Sequence, residues 1–234
     1  MYLAIDTSTD NASIAVAGEE RVLAELSWYC RQNHSVELMP SIMRLLGQAG
    51  TELKALKGIV VARGPGSFNG LRVGISTAKG LAFSLNIPLA GVSTLEAAAW
   101  QHAASGLPVC PIFNAGRSEI AFAIYQQKDK EWQQLAGQQL TTVDKLCSQI
   151  KSRTIFGGEP SEGVIQQLKQ KLGSKTIIPP PAARLRRAAF LAELGIKRIT
   201  AGDCDPPASL QPIYMRKPPI TTPKRNLRLI NSQQ

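Results

Sequence analysis

Apolar positions cluster or alternate in three short blocks at the start of the chain, over 2–5, 12–17 and 22–28. The polar groups Asp6-Thr7-Ser8 and Gly18-Glu19-Glu20 separate them, which predicts a three-stranded meander. A helical spacing follows over 35–47, with Ser35 as the cap. Leu38, Ile42 and Leu45 form one apolar stripe of this helix, and Met39, Met43 and Leu46 form a second. A helix apolar on two sides must bury both, either within its own domain or with one side against a partner. Residues 58–62 are continuously apolar, as buried strands are. The pattern then predicts a helix over 70–85, a strand over 88–92 and a helix capped by Ser93 or Thr94 that reaches about residue 104.

Past Gly106 and Pro108 the same order starts again. Strands are expected over 109–113, 120–126 and 132–140, followed by helix 143–151, strand 154–156, helix 163–172 and strand 176–178. Pro179-Pro180-Pro181 ends the regular pattern, and one more helix is expected over 183–194. This repetition predicts an α/β chain of two topologically similar subdomains, 1–104 and 105–205, each a mixed sheet flanked by helices. Residues 206–234 read as a Pro-rich basic tail that packs back on the first subdomain and is disordered from Lys224 on.

Composition narrows the function classes. With 234 residues, 44% of them hydrophobic, the chain can bury one large core or two small ones. No apolar run approaches the ~20 residues of a membrane span, and Asp6 and Asp10 interrupt any signal peptide, so a cytoplasmic protein without a membrane role is expected. Cys30, Cys110, Cys147 and Cys204 are scattered without a CxxC pair and read as reduced, buried thiols. His34 and His102 are the only histidines, too few for a metal cage, so neither a metal nor a cofactor is expected. The formal charge of +10 is uneven: from Lys175 onward 11 Lys/Arg face 3 Asp/Glu, which leaves only +2 for the rest. Attraction to a phosphate backbone and a merely solvated tail both account for this, and the lack of interleaved aromatics favours the second.

Two segments could carry chemistry. Asp6-Thr7-Ser8-Thr9 sits in the turn between two strands, where its carboxylate and hydroxyls could hold phosphate or a metal-bound water, or simply bond their own backbone. Arg63-Gly64-Pro65-Gly66-Ser67-Phe68-Asn69-Gly70-Leu71-Arg72 joins a strand to a helix, with Ser67 and Asn69 as caps and Arg72 near N–H groups that could receive an anion. It lacks the Gly-Lys-Ser/Thr ending of a P-loop. Gly70, Gly74, Ala78 and Ala82 then recur every fourth residue, a shallow side that suits close packing on the chain's own sheet or on another helix.

The runs Leu3-Ala4-Ile5-Asp6-Thr7-Ser8, Gly64 through Gly74, and Gly91-Val92-Ser93-Thr94-Leu95-Glu96 resemble the TsaB (YeaZ) family, as does Pro212-Ile213-Tyr214-Met215-Arg216 near the end. The resemblance implies an actin-like ATPase (ASKHA, ribonuclease H-like) fold. It also implies a non-catalytic dimerisation subunit for threonylcarbamoyl transfer to adenosine 37 of tRNAs reading codons that start with A. Family members pair with TsaD, which carries the metal, nucleotide and transfer chemistry, and work with TsaE, a further ATPase. The implied partner surface lies on helices 35–47 and 70–85, through Leu38, Met39, Ile42, Met43, Leu46, Gly70, Gly74, Ile75, Ala78 and Ala82. A second copy of the chain is the alternative occupant in the absence of TsaD, and contact with tRNA is expected to be weak or indirect. Where TsaD has His-Leu-Glu-Gly-His, this chain has Thr94-Leu95-Glu96-Ala97-Ala98, so both imidazole ligands are missing.

Two departures from the family pattern stand out. Asn69 replaces a usual Thr and caps comparably; Asn114-Ala115-Gly116-Arg117 replaces a usual Asp-Ala-Arg and removes a carboxylate. Asp6, Thr7, Ser67 and Arg72 are therefore expected to be at most a vestigial nucleotide site. The competing reading is an independent actin-like ATPase or sugar kinase that uses Asp6 and the 64–70 turn. A peptidase is a third reading, for which no Ser or Cys beside a base is evident.

Overall fold

A computed structural model describes residues 1–215. The predicted tail beyond that, including Arg216 and the disorder expected from Lys224, lies outside the described residues.

Strands β1 (Tyr2–Asp6), β2 (Asn11–Ala17) and β3 (Val22–Tyr29) form the predicted meander, and β4 (Gly58–Ala62) and β5 (Leu89–Val92) extend it in the order β3-β2-β1-β4-β5. β1 pairs antiparallel with β2 and parallel with β4. Alternation along the central strands decides the layers. Leu3, Ile5, Ile59 and Val61 face one side, where α1 (His34–Gln48) and α2 (Phe68–Leu85) bury Leu38, Ile42, Leu71 and Ile75. Tyr2, Ala4, Val60 and Ala62 face the other, covered by α7 (Ala188–Thr200) and by Ala97 of α3 (Thr94–Trp100).

The second half repeats this plan. Strands β6 (Ile112–Asn114), β7 (Ile120–Lys128) and β8 (Glu131–Thr141) form a meander, and β10 (Gly158–Glu159) pairs parallel with β6. Val109 bridges antiparallel to Tyr125 and parallel to Ile155 of β9 (Thr154–Ile155), which pairs parallel with β11 (Thr176–Ile177). The order of the first sheet thus recurs with a broken central strand. Helices α4 (Val143–Gln149) and α5 (Glu162–Leu172) cover Phe122 and Phe156, while α3 sets Leu95, Ala98 and Ala99 against Phe113 and Ala123 of the second sheet. Mixed sheets flanked by helices, built twice, give the predicted actin-like ATPase fold.

Several expectations are corrected. Asn33, not Ser35, precedes α1, and its carbonyl accepts from Val36 and Glu37. The helix expected over 183–194 is two helices, α6 (Pro181–Arg184) and α7, parted by extended residues at Leu185 and Arg187. Tertiary partners set the break: Ser13 Oγ accepts from Ala188 N at 2.9 Å and Glu25 Oε1 from Ala189 N at 2.8 Å, satisfying the first-turn donors of α7. Although placed with the second half by sequence order, α7 packs on the first sheet. Segment 205–215 then runs back over that half. Asp205 N donates to Leu89 O at 2.8 Å, Leu210 sits in the core at 3% exposure, and Ile213 N donates to Arg63 O at 2.6 Å.

The small-residue side of α2 faces inward. A Cβ at Gly70 would lie 2.1 Å from the backbone oxygen of Thr7, and one at Gly74 would lie 2.3 Å from Thr7 Oγ1. Ala78 and Ala82 are buried at 0% and 1% exposure. The stripe is the approach of α2 to the β1–β2 turn, so Gly70, Gly74, Ala78 and Ala82 are not available to a partner. Because the obstruction at Gly70 is backbone, Gly70→Ala is expected to destabilise the chain by about 1–3 kcal/mol in urea denaturation.

Candidate functional site

A cleft of about 930 Å³ opens between the two halves, lined by the 8–10 turn, the 65–68 turn, Phe113, Asn114, Arg117, Glu159 and Tyr214. The β1–β2 turn forms its floor. Asp6 is 3% exposed, and its Oδ1 accepts from Ser8 N at 2.9 Å and Ser8 Oγ at 2.6 Å. Its other oxygen is bonded by the guanidinium of Arg186.

Arg186 occupies the centre of the site. Its side chain is 3% exposed and donates to Ser8 Oγ at 2.6 Å, Thr9 Oγ1 at 2.5 Å, Asn11 O at 3.0 Å and Glu159 Oε1 at 3.2 Å. The ring of Phe113 lies 5.5 Å from the guanidinium carbon. Burial works against the charge, but Asp6 and Glu159 outweigh it, so Arg186 is held above the usual arginine value. One cation thereby joins the first sheet's central turn to β10 of the second sheet and is neutralised by a carboxylate from each.

The residues expected to form a vestigial phosphate site are not gathered around one point. Thr7 Oγ1 donates to Gly70 O at 2.8 Å, tying the turn to α2. Ser67 lines the cleft, but its Oγ caps α2 by accepting from Gly70 N at 3.4 Å. Arg72 points outward, 3.8 Å over the Phe68 ring, and its Nε donates to Tyr214 Oη at 3.2 Å. Thr94 and Ala98 are buried, with Thr94 Oγ1 accepting from Gly64 N at 3.2 Å, so both serve packing. Asn114 stands exposed at the cleft and donates to Glu159 O at 3.4 Å. Among the described residues no group of three or more His, Cys, Asp or Glu is placed to hold a metal ion.

Sequence reasoning missed Arg186, Glu159 and Tyr214. Arg186 carried one signal, a cluster with Arg184 and Arg187 ahead of an apolar stretch; nothing local marks Glu159, because its partners are 27, 148 and 150 residues away.

Two like halves closing on a cleft, with the turn that follows a buried strand-end aspartate at its floor, define the actin-like ATPase fold. Within it, the family described as "TsaD: tRNA N6-adenosine threonylcarbamoyltransferase" matches residues 29–193. The relatives divide that assignment further. The tRNA threonylcarbamoyladenosine biosynthesis protein TsaB of Bacillus subtilis is 37% identical over 219 residues, covering 92% of this chain and 93% of that protein. A tRNA N6-adenosine threonylcarbamoyltransferase of Syntrophus aciditrophicus is 38% identical, but over only 41% of this chain and 33% of its own. The solved structure of YeaZ from Pseudomonas aeruginosa superposes with a TM-score of 0.79 at 25% identity, covering 91% of this chain and 98% of that one. The chain belongs to the TsaB family.

Proposed function

We propose that this chain is a non-catalytic subunit that pairs with TsaD, and works with TsaE, in threonylcarbamoyl transfer to adenosine 37 of tRNA. The observation that carries the non-catalytic reading is Arg186. A nucleotide's metal and phosphates need the Asp6 carboxylate free and a second acid nearby. Here the guanidinium holds Asp6 and Glu159 together, and the position that could supply another carboxylate is Asn114.

Burial supports a pairing surface on the outer sides of α1 and α2. Helices α1 and α2 lie on the same face of the first sheet and touch each other, so their outer sides make one surface. Leu38, Ile42, Leu46 and Ile75, expected at the interface, are at most 3% exposed and face the chain's own core. Of the expected set, Met43 at 50% exposure faces outward, while half-buried Met39 packs against the first core. Val36 at 73% and Phe83 at 83% join Met43, and large exposed apolar side chains of this kind suit a protein partner.

Calorimetry of the isolated chain with ATP and magnesium tests the non-catalytic reading. No binding in the micromolar range is expected; micromolar binding that Asp6→Ala abolishes would favour the independent ATPase instead.

A further inference from the structure

The second half gathers cations at one end. From Asp144 to Lys175 the chain carries six Lys/Arg, at 145, 151, 153, 169, 171 and 175, and three Asp/Glu. β9 and β11 pair in parallel with Thr154 opposite Thr176, so Arg153 and Lys175, which immediately precede them, stand abreast at a strand spacing of about 4.8 Å. Thr176 Oγ1 donates to Leu168 O at 3.0 Å, which holds the last turn of α5, with Lys169 and Lys171, beside the same edge. α4 packs on α5 there, with Lys171 Nζ 3.0 Å from Asp144 Oδ1, and Lys151 leads from the end of α4 to Arg153.

The fold leaves this end uncompensated. All six cations are exposed, and within the described residues Lys171 alone of the six is in an ion pair. The three acids are engaged or distant. Asp144 holds Lys171, Glu159 meets Arg186, and Glu162 opens α5, about 13 Å from Lys171 along the helix axis. Cations in the last turn of a helix complement its dipole, which accounts for Lys169 and Lys171. It does not account for Lys151, Arg153 and Lys175, and like charges on neighbouring strands destabilise a sheet. The cations that follow in the chain are matched: Arg187 pairs with Glu25 at 2.6 Å, Arg198 with Asp203 at 2.7 Å and Asp205 at 3.1 Å, and Lys197 stands 4.2 Å from the centre of the Trp100 ring.

We propose that this end of the second half, centred on Lys151, Arg153 and Lys175, binds the phosphate backbone of RNA. Several cations without free acids suit sequence-independent neutralisation of a polyanion, and the exposed hydroxyl residues Ser152 and Ser174 set between them suit phosphate oxygens. None of the chain's large exposed apolar side chains falls between Asp144 and Lys175. A protein partner would call for an apolar centre, and a lipid surface for aromatic anchors, so RNA is favoured over both. That the RNA is a tRNA rests on the function proposed above; the polyanion chemistry does not.

The test uses the full chain and two triple variants that lose the same charge at exposed positions. One changes Lys151, Arg153 and Lys175 to Gln; the other changes Arg21, Lys54 and Lys57 of the first half to Gln. Each protein is titrated with a fluorescent tRNA transcript across a salt series and, separately, with phosphatidylserine vesicles, after its thermal midpoint is shown to match that of the unaltered chain. The unaltered chain is expected to bind the transcript. The first triple should bind at least tenfold more weakly at low salt, with a slope of log K against log salt flatter by about 2–3, or 0.7–0.9 for each lost phosphate contact. The second should stay within about twofold, because net charge alone is not the cause. Equal losses in the two triples, no binding by the unaltered chain, or binding to vesicles in place of RNA would each overturn the proposal. Co-elution with TsaD is measured in parallel and should be unchanged in the first triple. Loss of TsaD pairing by the unaltered chain, with RNA binding intact, would count against the pairing reading and leave the RNA surface standing.

Discussion

Arg186→Met is expected to destabilise the folded chain by about 3–5 kcal/mol, the range found when one partner of a buried ion pair is removed. The substitution keeps much of the side-chain volume and takes away the charge. Asp6, at 3% exposure, is then left with only the Ser8 donors, and the hydroxyls of Ser8 and Thr9 lose a common partner. For a chain of this size the cost corresponds to a thermal midpoint lower by roughly 6–20 °C. Asp6→Asn combined with Arg186→Met is the diagnostic comparison. If the guanidinium acts by matching buried charge, the double variant is more stable than Arg186→Met alone, because the buried carboxylate of Asp6 is gone and partly exposed Glu159 keeps its donors Thr9 and Asn11. Costs that simply add would mean that Arg186 contributes packing alone. Hydrogen exchange at 6–11 and 158–159 should rise in the single variant, since one side chain fastens both segments.

The second large effect is on assembly. Met43→Glu together with Phe83→Glu should leave the stability of the isolated chain within about 0.5 kcal/mol, as is usual at exposed positions. At the centre of a pairing surface, loss of such anchors costs about 2–4 kcal/mol, or roughly 30- to 1000-fold in Kd for TsaD. Ile42→Glu is the contrasting control. With Ile42 at 0% exposure, that change buries a carboxylate in the chain's own core and should unfold it. Undiminished co-elution of the Met43/Phe83 variant with TsaD would place the partner on some other surface.

Local pattern made most elements legible. The meander, the apolar β4 and the Ser67 cap of α2 all follow from residues close in sequence, and the duplicated order follows from their succession. What escaped the sequence depends on distance. The period of apolar residues over 183–194 is helical throughout, and only Ser13 and Glu25, more than 160 residues away, set where α7 begins. The same break carries Arg186 to the buried β1–β2 turn, where it meets Asp6 and Glu159. The stripe from Gly70 to Ala82 was legible as a close-approach surface, but sequence alone could not say what it approaches; Thr7 answers that. For α1 the two stripes divide as burial requires: Leu38, Ile42 and Leu45 inward, Met43 outward, and Leu46 inward with the first group.

Reconstitution tests the account most directly. Purified TsaD, TsaE, an activated threonylcarbamoyl donor and a tRNA transcript are incubated with and without this chain, and threonylcarbamoyladenosine is measured by mass spectrometry of the digested RNA. The account predicts that the modified nucleoside forms only when the chain is present, and forms equally well with Asp6→Asn if that variant is folded. Modification that proceeds undiminished without the chain, or that Asp6→Asn abolishes in a folded and TsaD-paired protein, would contradict it.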